Sequence, residues 1–196
     1  MRPISRSHAI HLCLDMQLMF ARDGPWPTPW MERVLPNVVH LTERTPAQTV
    51  FTRFIPPMRA DDMPGTWREF YRKWRKITRQ HLPAQYLELL PELRRFVPPA
   101  AVCDKFVYSA FADGRLARHL GERGASTLLI SGAETDVCVL ATVLAAVDHG
   151  YRVVLVTDAI CSSSDEGHDA LMRMYTSRFD IQIELASTEE ALDALA

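Results

Sequence analysis

The chain has 196 residues, 47% of them hydrophobic and 23% charged, and its 22 Lys and Arg against 24 Asp and Glu leave a net charge of −2. That length supports one domain with a core and a pocket, and the composition excludes wholesale disorder. The near-neutral balance excludes a polycation built to neutralise phosphate backbones, so neither a nucleic-acid nor a membrane partner is expected.

The N-terminal stretch carries basic residues, but its apolar part closes on Asp15 and is too short for a signal-peptide core. The longest apolar run, Val137 to Val147, is about half of what a membrane span needs. Cysteines at 13, 103, 138 and 161 form no C-x-x-C pair and fit the reduced thiols of a cytoplasmic protein. Area scaling for 22.3 kDa gives roughly 9,400 Å² of accessible surface when folded.

In chain order, the first strand is expected at Ala9–Leu14, followed by a helix near 30–43 with Pro36 in or before its first turn. A second strand at Thr49–Phe54 ends at Pro56-Pro57. Residues 58–98 interleave Trp67, Phe70, Tyr71, Trp74 and Tyr86 with arginines, and their patterns predict helices at 66–79 and 85–96, together an insertion laid over the sheet. Regular alternation resumes with strands at 101–103, 127–130, 152–157 and 181–185 and helices near 113–123, 136–149, 165–177 and 188–195. Six strands with helices between them predict a three-layer α/β/α domain over 1–196 with a mainly parallel sheet.

Ligands of such sheets bind beyond the carboxyl ends of the strands. Asp15 follows the first strand, Lys105 the third, and Cys138 falls at the start of the helix after the fourth. A thiol in the first turn of a helix is expected to shift toward thiolate, with Thr135 as N-cap. A nearby carboxylate can take the thiol proton and return it to a leaving group, and backbone N–H groups of the same turn can hold an oxyanion.

The segments Leu14-Asp15-Met16-Gln17, Lys105-Phe106-Val107-Tyr108-Ser109-Ala110-Phe111 and Ser131 to Val139 resemble the isochorismatase-like cysteine hydrolase superfamily, which includes nicotinamidases, N-carbamoylsarcosine amidases and isochorismatases. Thr157 to Ser162 and His168 also match, and the similarity runs from about residue 8 to about 185. The resemblance implies a Rossmann-like fold and an Asp15/Lys105/Cys138 triad. It also implies a cis peptide at Ala133–Glu134 and an oxyanion hole from the Glu134 and Cys138 backbone N–H groups. Gln17, Phe20, Trp67 and Phe111 complete the expected site as substrate contacts.

Two departures narrow the chemistry. Metal-dependent nicotinamidases carry Asp-x-His after the second strand, where this chain reads Thr52-Arg53-Phe54-Ile55-Pro56-Pro57, so no metal and no cofactor are expected. True isochorismatases lack the nucleophilic Cys, and Cys138 argues against enol-ether hydrolysis. The leading expectation is therefore a metal-independent cysteine amidohydrolase for a small amide, ureido or carbamoyl compound. An enol-ether hydrolase and a catalytically silent binding or assembly domain are the alternatives. The aromatic face at 66–76 leads us to expect a homodimer or homotetramer.

Overall fold

Six short runs pair in a computed structural model of the chain, which describes residues 1–196. They are β1 (Ala9–Leu14), β2 (Thr49–Phe54), β3 (Ala101–Lys105), β4 (Thr127–Ala133), β5 (Arg152–Cys161) and β6 (Ile183–Ala186). All pairings are parallel, in the order β3-β2-β1-β4-β5-β6. Every residue of β1 and β4 is buried, as a parallel sheet covered on both faces requires. Alternation sends Ala9 and Cys13 of β1 into the core on one face, and Ile10, Leu12 and Leu14 into the core on the other.

The helices are α1 (Met31–Arg44), α2 (Gly65–Lys73), α3 (Pro91–Arg94), α4 (Arg115–Glu122), α5 (Leu140–Asp148), α6 (Asp165–Ser177) and α7 (Thr188–Asp193). The stripe Met31, Val34, Val38, Leu41 of α1 packs on the first face together with α7 and the chain between β2 and β3. α4, α5 and α6 cover the second face through Leu116, Leu120, Val143, Ala146 and Tyr175. The accessible surface is 9512 Å², close to the scaling value for this mass. No helix is long and apolar enough to cross a membrane.

Several boundaries differ from expectation. Pro36 lies well inside α1, on a side away from the core, where its missing N–H is least costly. The helix expected at 66–79 stops at Lys73 and gives way to a 3₁₀ turn, Arg75–Ile77. The one expected at 85–96 divides into a 3₁₀ turn, Ala84–Leu87, and α3, because Leu89 and Leu90 are drawn out to pair with the chain after β1. There Leu90 donates to Met16 O at 3.0 Å and Leu18 to Glu88 O at 2.9 Å. β5 runs on to Cys161 because Ile160 and Cys161 pair with Gly132 and Ala133. Ile181, expected in the last strand, is 90% exposed and precedes it.

Candidate active site

β1 and β4 are neighbours, but the chain continues from β1 to β2 on one side and from β4 to β5 on the other. This switch in direction opens a crevice at the carboxyl ends of the two strands. Gly132 makes the approach possible: it sits at φ +104°, and a Cβ there would fall 2.1 Å from Leu14 O. Asp15 then leaves β1 and Cys138 follows β4 from adjacent strand ends.

Asp15 takes the left-handed conformation at φ 53°. Its N–H donates to both the carbonyl and the Oγ1 of Thr52 at 3.2 Å, which turns the side chain back over the strand ends. Oδ1 accepts from Thr52 Oγ1 at 2.6 Å, and Oδ2 faces Lys105 Nζ at 2.8 Å. The ammonium donates further to Cys138 Sγ at 3.2 Å and Val107 O at 3.1 Å, and lies 5.0 Å above the Phe54 ring. Asp15 and Lys105 are 1% and 2% exposed, so the three expected groups meet out of solvent.

Burial, and after it the Asp15 carboxylate, push the Cys138 thiol well above the usual thiol range, against the opposing pull of Lys105. This direction is opposite to the thiolate shift expected of a helix start: burial favours the thiol. Burial also works against the Lys105 ammonium, but Asp15 and Cys138 outweigh it and its net direction is up. Thr135 is not the cap expected of it, because the turn opens at Glu134 and the Thr135 hydroxyl pairs with His168 Nδ1 at 2.9 Å.

Residues Thr135–Val139 form one turn of π-helix that runs into α5, a local widening frequent at functional sites. Val137 and Val139 both donate to Glu134 O, at 3.1 and 3.0 Å. The Ala133–Glu134 peptide is cis. Glu134 Oε2 accepts from the backbone N–H and the hydroxyl of Ser163, at 3.0 and 2.5 Å.

A cavity of about 330 Å³ opens over Cys138, walled by Phe20, Trp26, Phe54, Phe70, Trp74 and Tyr108. Glu134 and Ser163 are its other polar wall groups. Phe20 thus stands where expected, and three other residues do not. Gln17 is fully buried and spends its amide on Phe54 N, Phe54 O and Leu87 O, tying β2 to the chain before α3. Trp67 is one layer back, its ring 4.7 Å from Tyr108 and 6.0 Å from Tyr71. Phe111 packs into the core of the α4/α5 face, 4.9 Å from the His149 ring. The sequence did not point to Thr52, Trp26, Phe54, Phe70, Tyr108 and Ser163 as site groups. Thr52, a polar residue at a buried position of an otherwise apolar strand, was the clearest available signal.

No group of three or more His, Cys, Asp or Glu side chains is arranged to hold a metal ion. At the end of β2, Thr52 is engaged by Asp15, Arg53 is paired with Asp104 at 2.7 Å, and Phe54 lies under Lys105. These residues do not fit a metal.

A family model described as an isochorismatase domain matches residues 9–187. An isochorismatase family protein of Bacillus subtilis (strain 168) is 33% identical over 100 residues, 50% of this chain and 55% of its own. Nicotinamidase 3 of Arabidopsis thaliana is 31% identical over 86 residues, 43% of either chain. The chain spans about half the length of the curated relatives it matches. In fold, it is similar to the crystal structure of a cysteine hydrolase from Pseudomonas syringae pv. phaseolicola 1448A, with a TM-score of 0.84 and 22% identity over 99% of this chain and 95% of the other.

Proposed function

Because the chain belongs to the isochorismatase family, we propose that it is a metal-independent cysteine hydrolase that cleaves the C–N bond of a small amide, ureido or carbamoyl compound. The observation that carries this reading is one buried ammonium, Lys105, within 2.8 Å of the Asp15 carboxylate and 3.2 Å of the Cys138 thiol, which lines a cavity. A protonated resting thiol needs a base in contact, and Asp15 fills that role.

As Cys138 Sγ bonds to the substrate carbonyl carbon, its proton passes to Asp15. The carbonyl oxygen takes up negative charge against the backbone N–H groups of Glu134 and Cys138. Collapse breaks the C–N bond, and the proton on Asp15 goes to the departing nitrogen. Water, deprotonated by Asp15, then attacks the thioester, the C–S bond breaks, and the thiol regains its proton. Lys105 keeps the carboxylate and the sulfur in register throughout. Water is the sole co-reactant, so atoms balance without a cofactor.

The test is turnover of a panel of small amides and ureides, read as ammonia release and as an intact-mass adduct on the chain. A thioester adduct that maps to Cys138 and disappears in Cys138→Ala supports the reading, with a loss on the order of 10⁴-fold or more in kcat. Turnover undiminished in Cys138→Ala would mean that the thiol is idle and that Asp15 and Lys105 run a different hydrolysis. A rate that falls on prolonged chelation and returns with zinc contradicts the metal-independent part. We also propose a homodimer or homotetramer: Trp74, Phe106 and Tyr108 are 40%, 42% and 38% exposed, and two of them line the cavity.

A further inference from the structure

Resting on the amidase reading, we propose that the substrate carries a permanent cation, a tetraalkylammonium group, at the end remote from its scissile amide, and that this group sits among the rings over Cys138. The wall composition points there. Six of the twelve wall residues are aromatic, and Glu134 is the only carboxylate among them. No Lys, Arg or His lines the cavity. The nearest ammonium, Lys105, is 2% exposed and already spends its donors on Asp15, Cys138 and Val107.

The rings enclose a corner rather than a slot. Trp26 and Trp74 stand at 76° with centroids 5.5 Å apart, Phe70 meets Trp26 at 57° and 5.9 Å, and Phe20 stacks on Trp26 at 14° and 6.4 Å. Rings in several orientations thus wall one volume, the kind of setting that recognises quaternary ammonium groups. Glu134 adds the matching charge: Ser163 holds Oε2, and Oε1 makes no hydrogen bond within the chain.

A carboxylate tail would meet only the neutral hydroxyls of Tyr108 and Ser163, with no cationic wall group to offset the π-electrons and Glu134. A neutral alkyl tail would fill the space but leave that carboxylate unused. The basic side chains of this region, Lys73, Arg75, Lys76 and His81, lie with Trp74 in a separate depression, Lys73 Nζ resting 5.5 Å from the Trp74 ring. The reaction is that of any amide: R₃N⁺–CH₂–CONH₂ and water give the zwitterionic carboxylate and ammonium.

The experiment compares trimethylammonioacetamide with 3,3-dimethylbutanamide, which has the same shape with carbon in place of the charged nitrogen, and with anionic succinamate. The expected result is kcat/KM at least tenfold higher for the ammonium amide than for its isostere, with succinamate lowest. In Trp26→Leu and in Glu134→Gln the ratio of cation to isostere shrinks, whatever either change does to the absolute rates. An isostere hydrolysed as well as the cation, or succinamate preferred, overturns the proposal, and the wild-type ratio alone decides if a variant fails to fold. Calorimetric binding of both neutral and cationic compounds to Cys138→Ala separates the two readings. Selective binding of the cation without ammonia release by the wild type leaves the cage standing and removes the amidase. Turnover without that selectivity does the reverse.

Discussion

Lys105 has three N–H groups and three acceptors, Asp15, Cys138 and Val107 O, in a place that water does not reach. Removing one member of a buried ion pair strands the other, at a cost of roughly 3–5 kcal/mol, whereas replacing both with apolar groups is often near neutral. Asp15→Asn is therefore expected to abolish turnover and to destabilise the fold by about 3 kcal/mol, and adding Lys105→Met should restore most of that stability with activity still absent. Urea unfolding of the single and double variants measures this; a double variant no more stable than Asp15→Asn would refute the buried-charge account.

His11 supplies a second residue-scale prediction. It is buried in β1 between Thr49 Oγ1 at 3.2 Å and Ser131 Oγ at 2.8 Å, and burial lowers its pKa from 6.5 to about 3. In the window between those two values the unfolded chain binds a proton that the folded chain refuses. The stability contributed by neutral His11 is thus present above pH 6.5 and lost as pH falls toward 3, at about 1.4 kcal/mol per pH unit for this one group. The buried thiols act at the other end: burial raises Cys13 from 9.0 to about 12, so its contribution is present below pH 9 and lost as pH climbs toward 12. Melting temperatures from pH 3 to 11 should trace both flanks, and a His11→Gln variant should flatten the acid one.

At the scale of elements, the site depends on how closely β1 and β4 end. Gly132 has a left-handed φ and backbone where its Cβ would be, while Gly65, also at positive φ, has nothing within 4 Å. Gly132→Ala is expected to cost on the order of 3 kcal/mol and most of the activity, because the Leu14 backbone must shift and Asp15 with it. Gly65→Ala should cost about 1 kcal/mol and leave the reaction intact. Equal losses at the two positions, read by thermal unfolding and turnover, would show that conformation rather than close approach governs Gly132. The pairing of the chain after β1 with Leu89 and Leu90 plays a similar part, since it carries the chain between β2 and β3 against the segment that bears Phe20.

At the scale of the molecule, the aromatic face at 66–76 divides its work. Tyr71 is fully buried, Trp67 is covered by Tyr108, and Phe70 and Trp74 face the cavity. Apolar rims of this kind are covered in assemblies, and we expect sedimentation equilibrium at micromolar concentration to give a dimer or larger species. A fully active monomer of 22.3 kDa would leave the rim as the entrance to the pocket alone.

The alternation of short apolar runs with helical patterns determined the layered α/β class, because burial on both faces of a parallel sheet demands such runs wherever they lie in the chain. The matched segments around Asp15, Lys105 and Cys138 likewise determined which polar side chains stand at strand ends. Only the tertiary structure decided how those groups behave and what surrounds them. That the Cys138 thiol is pushed up rather than down depends on desolvation by neighbours far away in sequence, against the pull of Lys105. That Gln17, Trp67 and Phe111 stand off the cavity while Trp26, Phe70 and Trp74 wall it depends on how the chain between β2 and β3 folds back on the segment after β1. Such contacts between distant segments leave no periodicity in either one, so a single sequence carries no local trace of them.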